Sequence, residues 1–338
     1  MVRWGVLGLG GAANSFANAI QEVENAELKS IASLSKKRNE IFGKRFNISK
    51  KNQFDSYEDL INQKDLDAIY IATLNNKHSN LIIKIAEAKK GILCEKPFAL
   101  NETELNDVIT QLNKTKVFFL ENIAYRSHPQ TPEILNQISN DNIGEITKIE
   151  SSFGFRVRPI YKFRPGHRLF NKQLGGGAIN DIGCYPISFS VLLAKMLQKQ
   201  NNEILYNIVE ANGKINFRGT DDDAFLKINF KNFFEANLEI SIKRNIRKPT
   251  IIYGTKGKII IPHPWLPNKN TSIELVRDKN KDIKNIKSIY SVYANTIKAA
   301  SDAIQKKNII CEYPNMSWHD SIITSKILTE WKNYLYKA

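Results

Sequence analysis

The feature that most constrains this chain lies at its start. An apolar run, Val2–Leu9, turns through Gly8-Leu9-Gly10-Gly11-Ala12-Ala13 into an amphipathic stretch, Ala12–Val23. A buried strand that passes through glycines into a helix needs a crossover to reach a parallel neighbour. The next residues supply that rhythm. Strand-like runs at Leu28–Ser33, Ala68–Ala72, Ile92–Cys94 and Val117–Leu120 alternate with helical patterns at Lys37–Phe46, His78–Lys89 and Glu102–Leu112, the last with Asn101 as N-cap. Short apolar strands alternating with helices predict a parallel sheet covered on both faces. Beyond residue 122 the pattern changes. Ile146–Phe155 and Ala236–Ile242 alternate apolar and polar residues, the period of half-buried antiparallel strands. In the second, Ala236, Leu238, Ile240 and Ile242 face one way and Asn237, Glu239 and Ser241 the other. Phe225–Phe230, Thr250–Tyr253, Lys258–Ile261 and Ser272–Val276 read as further strands, and Ser317–Tyr336 as a terminal helix. The expectation is an α/β chain with two domains, 1–122 and 123–338. The second is α+β, and its terminal helix is placed to pack back on the first.

Three motifs carry chemistry. In the GxGxxA at the first β-α junction, Gly8 permits the tight turn and Gly10 lets a diphosphate approach the backbone. Ala13 keeps the helix against the sheet, so that its N-terminus faces the phosphates. Gly11 and Ala12 complete the turn. This predicts a bound dinucleotide. An acidic residue some 20 positions on would favour NAD. Here Ser33-Leu34-Ser35 leads into Lys36-Lys37-Arg38, and no acid lies between Leu28 and Asn39. A hydroxyl beside cations suits a 2′-phosphate, so NADP(H) is expected over NAD(H). The second motif, Glu95-Lys96-Pro97, follows the fourth strand, at the end of a parallel sheet where ligands bind. The third is Gly175-Gly176-Gly177-Ala178-Ile179-Asn180-Asp181-Ile182-Gly183-Cys184-Tyr185-Pro186. Its glycines allow close backbone approach, and Asp181 and Tyr185, four apart, share one face of a helix.

Together these residues resemble the Gfo/Idh/MocA (glucose–fructose oxidoreductase / inositol dehydrogenase / MocA) family. The matches are GLGGAA at 8–13, YIATLNNKHSN at 70–80, CEKPFAL at 94–100, LENIAYRSHPQ at 120–130, IGEI at 143–146, FGFR at 153–156, GGGAINDIGCYP at 175–186, YGTKGKIIIPHPW at 253–265 and YPNMSWHDS at 313–321. Tyr185 in the third motif is similar to the dihydrodiol dehydrogenase and glucose–fructose oxidoreductase branch. The resemblance implies a Rossmann fold followed by a C-terminal α+β domain built on an open, mainly antiparallel sheet. That sheet often pairs subunits, so a homodimer or homotetramer is expected. It also implies hydride transfer between nicotinamide and a hydroxyl or carbonyl carbon of a sugar, polyol or related cyclic diol. Lys96 and Tyr185 are then the proton-handling pair, with Asp181 alongside. Thr73, Asn75, His78 and Glu95 join the cofactor residues. Arg126, Phe155, Arg156, Arg164, His167 and Trp265 are candidates for the substrate side. Two positions depart from the family pattern: Leu34 stands where an arginine often holds the NADP phosphate, and Leu74 where proline often follows Ala-Thr.

Composition narrows the alternatives. No apolar run approaches the roughly 20 residues of a membrane helix, and a strand beginning almost at Met1 leaves no room for a signal peptide. Three widely spaced cysteines, Cys94, Cys184 and Cys311, argue against zinc fingers and a disulfide framework and for a reducing, cytoplasmic setting. The net charge of +15 raises the possibility of a nucleic-acid partner. The basic residues are scattered without a block of five or six, which fits a compositional bias better. Asp221-Asp222-Asp223 lacks the glycine and distal glutamate of a calcium loop and reads as a solvated turn. The five histidines have no metal-site spacing. The expected partner is a carbohydrate-like small molecule, with no metal, membrane or nucleic acid. The rival from another class is a non-catalytic NAD(P)-sensing regulator of the same fold, against which the joint presence of Lys96, Asp181 and Tyr185 speaks.

Overall fold

Burial on both faces organises the first strands. In the computed structural model, which describes residues 1–164, 166–198, 203–231, 233–278 and 280–337, β1 (Val2–Leu7) has five of six residues buried. It leads into α1 (Gly11–Ala19) and then β2 (Ala26–Ala32), α2 (Lys36–Arg45), β3 (Gln53–Phe54), α3 (Tyr57–Ile61), β4 (Ala68–Ile71), α4 (His78–Glu87), β5 (Gly91–Cys94), α5 (Glu102–Thr115) and β6 (Phe119–Glu121). These six strands form one parallel sheet in the order β3-β2-β1-β4-β5-β6. That order places a switch point between β1 and β4, outside whose carboxyl ends a ligand crevice forms. Phe16 of α1 stacks on Tyr70 of β4 at 4.3 Å and meets Trp4 edge-on at 5.7 Å, fixing α1 against the sheet. Asn101 caps α5 as expected, accepting from Glu104 N at 2.9 Å, and Glu104 reaches back to Leu100 N. The sequence reading passes over β3 and α3, which are too short to show a period.

The chain then builds a second sheet. After α6 (Gln130–Ser139) come β7 (Ile146–Gly154), α7 (Cys184–Leu197), β8 (Tyr206–Ile215), β9 (Asp221–Phe230), β10 (Phe234–Ser241), β11 (Thr250–Gly254), β12 (Lys258–Ile261), β13 (Asn270–Arg277) and β14 (Asn280–Lys287). Their order is β14-β13-β12-β11-β7-β10-β9-β8. Every pairing is antiparallel except β7 with β10, so the two strands whose alternation was clearest run parallel to each other. Ala236, Leu238 and Ile240 are buried, as their period requires. Ser241 breaks the alternation. It is fully buried, and its Oγ accepts from the backbone of Lys243 and Arg244 to close the following turn. Two helices end the chain, α8 (Val292–Gln305) and α9 (Trp318–Lys337).

The chain divides into two compact units, Met1–Ser127 with Tyr290–Trp318, and His128–Ile289 with His319–Ala338. The expected boundary at 122 therefore moves to 127/128, and 123–338 is not one domain. It is α8, absent from the sequence reading, that joins the parallel sheet: Ser301 accepts from Trp4 Nε1 at 3.1 Å. The terminal helix stays with the second unit instead of returning to the first. There Asp320, fully buried, pairs with Lys195 of α7 at 3.0 Å. One more expectation changes. Lys172–Leu197 is long and apolar enough to cross a membrane, but the apolar window is wholly buried in the structure and serves as core.

Candidate functional site

In the first unit, Gly8 ends β1 at φ +84°, a region that favours glycine. A Cβ there would lie 2.8 Å from Ala72 O and 3.0 Å from Thr73 Cα, against the backbone that leaves β4. Gly10 is different. It precedes α1 with φ −98° and ψ −158°, no side chain caps the helix, and its first turn holds no acid. A Cβ on Gly10 or Gly11 would meet nothing within 4 Å. The free N–H groups of the first turn, with the positive end of the helix dipole, thus face open space beside two exposed glycines. This cradle fits a diphosphate. Ala13, fully buried, lets α1 lie close to the sheet, with Ala12 half-buried beside it.

At the end of β2, Ser33 is buried and its Oγ accepts from Ser35 N at 3.2 Å. Leu34 is 74% exposed, and Lys36, Lys37 and Arg38 project from the start of α2. Sequence reasoning missed a carboxylate here. Asp55, just past β3, lies 3.8 Å from Lys36 Nζ. Asn39 holds this corner together, its Nδ2 lying within 3.0 Å of Ser33 O, Phe54 O and Asp55 Oδ1. Asp55 is sixteen residues from Asn39 and arrives through sheet pairing, so no local spacing signals it. A cavity of about 270 Å³ lined by Leu34, Tyr57, Asn80 and Leu81 adjoins this corner.

The Glu95-Lys96-Pro97 loop follows β5. Glu95 is buried, and its Oε1 accepts from Tyr70 OH at 2.5 Å, Asn122 Nδ2 at 2.6 Å and Tyr293 OH at 3.2 Å. Burial and this carboxylate push the Tyr70 phenol well above its ordinary range, so it stays protonated and donates. None of the three donors is legible in sequence, and Tyr293 comes from α8, 198 residues away. Lys96 is half-buried beside this anchored carboxylate. On its other side His78, fully buried at the start of α4, places Nδ1 2.9 Å from Pro97 O and Nε2 3.3 Å from Thr73 O. Burial holds its imidazole below the usual histidine range, and a neutral ring donates once. The shorter contact assigns that proton to Nδ1. His78 Nδ1 and Glu95 Oε1 therefore hold the two sides of the Lys96 position, at Pro97 and at Glu95. Thr73 and the turn opening at Asn75 lie at the end of β4, half-exposed.

In the second unit, Asp181 and Tyr185 do not sit on one uniform helix. Ile179–Gly183 forms a π-helical turn that passes into α7 at Cys184. Such turns are frequent at functional positions. A Cβ at Gly183 would press on Leu328 and Trp331 of α9 at 3.1 and 3.3 Å. Asp181 is buried and pairs with Arg168 at 2.8 Å, a partner the sequence did not disclose. From Gly177 to Ala194 Tyr185 alone is not buried. Its ring stands edge-on to Phe153 at 5.1 Å and 6.1 Å from Trp265, with Phe155 beyond Phe153. Trp265 is buried and donates Nε1–H to Ser152 O at 2.8 Å, so it props the tyrosine and has no polar handle left. His167 stacks on Tyr161 at 4.9 Å, its imidazole held low by burial and by Arg168 and Arg164. Arg156 and Arg164 are exposed.

This geometry bears on three further expectations. Arg126 belongs to the first unit and is 1% exposed, with Nε donating to Pro314 O at 2.6 Å and Nη2 reaching Asn315 O at 3.5 Å. These bonds tie the guanidinium to the backbone of the segment before α9. Gly176 allows the expected close backbone approach, a Cβ there lying 2.6 Å from Arg168 O, while Gly177 makes room for a side chain. Gly177 has φ +110°, and a Cβ there would overlap the Asp221 carboxylate, which accepts from Ile179 N at 2.7 Å. The three aspartates are not a solvated turn but the start of β9. Asp221 is buried against Ile179 and Tyr336, Asp222 pairs with Lys162, and Asp223 with Arg244. Burial raises the Asp221 carboxyl above its usual range. Among the described residues no cluster of three metal-ligating side chains occurs.

Comparison with known proteins places the chain among oxidoreductases. Trans-1,2-dihydrobenzene-1,2-diol dehydrogenase of Xenopus tropicalis is 30% identical over 270 residues, covering 78% of this chain and 77% of that protein. An uncharacterized oxidoreductase of Rhizobium meliloti is 27% identical over 284 residues, covering 84% and 81%. Among solved structures, a 3-ketoreductase from Actinomadura kijaniata in complex with NADP and TDP-benzene superposes with a TM-score of 0.85 at 20% identity, covering 99% of this chain and 97% of that one. An aldose–aldose oxidoreductase from Caulobacter crescentus complexed with glycerol gives 0.85 at 18%, covering 99% and 98%. At those identities the superpositions establish the fold. Residues 2–123 match the oxidoreductase family with an NAD-binding Rossmann fold, and residues 133–260 match the GFO/IDH/MocA C-terminal domain. The chain therefore belongs to the GFO/IDH/MocA oxidoreductase family.

Proposed function

We propose that this oxidoreductase uses NADP(H) in preference to NAD(H) and acts on a hydroxyl or carbonyl carbon of a sugar, polyol or cyclic diol. The observation that carries the reading is the uncapped start of α1 at Gly10, open to a diphosphate and followed, two strands along the same sheet, by the anchored Lys96 loop. Lys36, Lys37 and Arg38 support the NADP preference. The substrate class rests on the names of the relatives, a trans-dihydrodiol dehydrogenase, a 3-ketoreductase and an aldose–aldose oxidoreductase.

When bound, the nicotinamide supplies or accepts the hydride. The protein's part is the proton. Tyr185 is assigned the exchange of a proton with the substrate oxygen. A lysine ammonium stabilises a phenolate, and Lys96 is assigned that charge. Asp181, already paired with Arg168, is assigned a positioning part. We also propose pairing of subunits through the second sheet, whose half-exposed polar face holds a cavity of about 400 Å³ where Ser152 Oγ and Asn237 Oδ1 lack protein partners. The three free, buried cysteines support a reducing compartment.

The test is isotopic. The protein is incubated with NADPH carrying deuterium at the transferable position and with a panel of ketosugars and diketones. One deuterium on the product carbon supports the reading. A panel without transfer, at concentrations where NADPH is bound, overturns it in favour of a regulator.

A further inference from the structure

The charge that looks scattered along the chain gathers at one place in the second unit. From Ser151 to Asn180 there is no acidic residue, while Arg156, Arg158, Lys162, Arg164, Arg168 and Lys172 all fall in this stretch. The segment departs at Phe155, whose ring touches Phe153, which in turn touches Tyr185. It returns at Arg168, which pairs with Asp181. One end of the basic loop is therefore tied to Tyr185, assigned to the substrate, and the other to Asp181, assigned to positioning. Bonds from Phe155 N to Ser241 O, Val157 N to Ile242 O and Arg156 N to Asn245 Oδ1, all within 2.9 Å, lay the loop beside a second turn carrying Lys243 and Arg247.

Part of this charge is neutralised. Lys162 pairs with Asp222, Arg168 with Asp181, and Arg244 with Asp223 and Glu239. Among the described residues no carboxylate pairs with Arg156, Arg158, Arg164, Lys243 or Arg247, and all five are exposed. Uncompensated like charges repel, and the fold does nothing here to offset them. Next to Arg164 the rings of Phe163 and Phe217 lie 5.5 Å apart, tilted 30° to one another, with 67% and 69% of each residue exposed, an apolar pair at the edge of a cationic stretch.

We propose that the natural substrate carries a phosphate, held by Arg156, Arg158 and Arg164 at the rim of the Tyr185 cluster. Guanidinium forks match phosphate oxygens two at a time, which fixes orientation as well as charge. The phosphate belongs to a sugar monophosphate or to a sugar joined to a nucleoside diphosphate, and the exposed ring pair would serve the second. This inference rests on the reading that Tyr185 faces the substrate.

The test titrates the full-length protein, saturated with NADPH so that its cofactor phosphate sites are filled, with glucose, glucose 6-phosphate and UDP-glucose at about 50 mM salt, where exposed charges act over more than 10 Å. At least one phosphorylated probe should bind about ten-fold or more tightly than glucose. The triple variant R156A/R158A/R164A should bring that probe back to the glucose level while NADPH affinity, the fold control, is unchanged. A gain confined to UDP-glucose and reduced further by F163A selects the nucleotide-linked sugar, and a gain shared by glucose 6-phosphate selects the simple ester. Equal affinity for all three probes, no binding of any, or a gain that survives the triple variant overturns the proposal. Hydride transfer to a neutral diol without any gain from phosphate would leave the oxidoreductase reading standing and remove this one. A phosphate gain without hydride transfer would do the reverse.

Discussion

Alanine at Gly10 and at Gly8 should separate cofactor binding from folding. Gly10 has backbone angles open to any residue, and its Cβ would meet nothing within 4 Å. Gly10→Ala should therefore change stability by no more than about 0.5 kcal/mol. The same methyl stands in front of the first-turn N–H groups. Loss of a hydrogen bond to a charged phosphate oxygen costs about 1.5–3 kcal/mol, or roughly 10- to 100-fold in Kd. Gly8 presents the opposite case. Its φ of +84° costs alanine about 1–2 kcal/mol. The contacts at 2.8 Å to Ala72 O and 3.0 Å to Thr73 Cα are with backbone, which yields only if the end of β4 moves, adding about 1–3 kcal/mol. At about 2–4 °C per kcal/mol, Gly8→Ala should lower Tm by roughly 5–15 °C. Thermal unfolding without cofactor and calorimetric titration with NADPH give both quantities. A Gly10→Ala protein that binds NADPH as tightly as the parent, or a Gly8→Ala protein that melts with it, would refute the assignment of this turn.

His78 is buried with its imidazole held below the usual range, so the folded state binds fewer protons than the unfolded chain below about pH 6.5. Its contribution is present above that pH and is lost as pH falls towards the folded-state value. His78→Gln should thus lose less Tm than the parent between about pH 7.5 and 5, and an undiminished loss would assign the acid sensitivity elsewhere. Asn101→Ala removes the cap of α5 and should cost about 1 kcal/mol in urea unfolding, against no change if the 2.9 Å bond to Glu104 N carries no weight. NADPH should bind more tightly than NADH, and Asp55→Asn should widen the difference, because Asp55 competes with a 2′-phosphate for Lys36. Tighter NADH binding at moderate salt would exclude Lys36–Arg38 from a phosphate site.

Much of the first unit is legible in sequence because its strands are buried on both faces and its helices have a clear period. β1, β2, β4, β5 and β6 fall within a few residues of their expected places. What escapes is whatever depends on distant chain. α8 joins the first unit after 162 residues of the second, placed by distant partners such as Trp4 for Ser301 and Glu95 for Tyr293. Local pattern could not foresee that Glu95 is held by Tyr70, Asn122 and Tyr293, or that Asp181 meets Arg168. Motif glycines were also ambiguous. Gly10 opens space for a ligand, whereas Gly177 makes room for Asp221, and the letter alone does not distinguish them. Arg126 shows the same limit, since a cation near a motif can as well be a buried tie to backbone carbonyls.

The central claim is that Lys96 and Tyr185 supply the proton chemistry of an NADP(H)-dependent oxidoreductase. Turnover is measured by NADPH absorbance for the parent, Lys96→Met, Tyr185→Phe and the double variant, with trans-1,2-dihydrobenzene-1,2-diol or the best sugar of a panel, beside the NADPH Kd of each. Each single change should lower kcat by about 10²- to 10⁴-fold with Kd altered only a few-fold, Tyr185→Phe being the milder. The double variant should lose less than the product of the two if both residues serve the one proton transfer proposed. Near-parental turnover in the double variant, with cofactor still bound, would contradict the account.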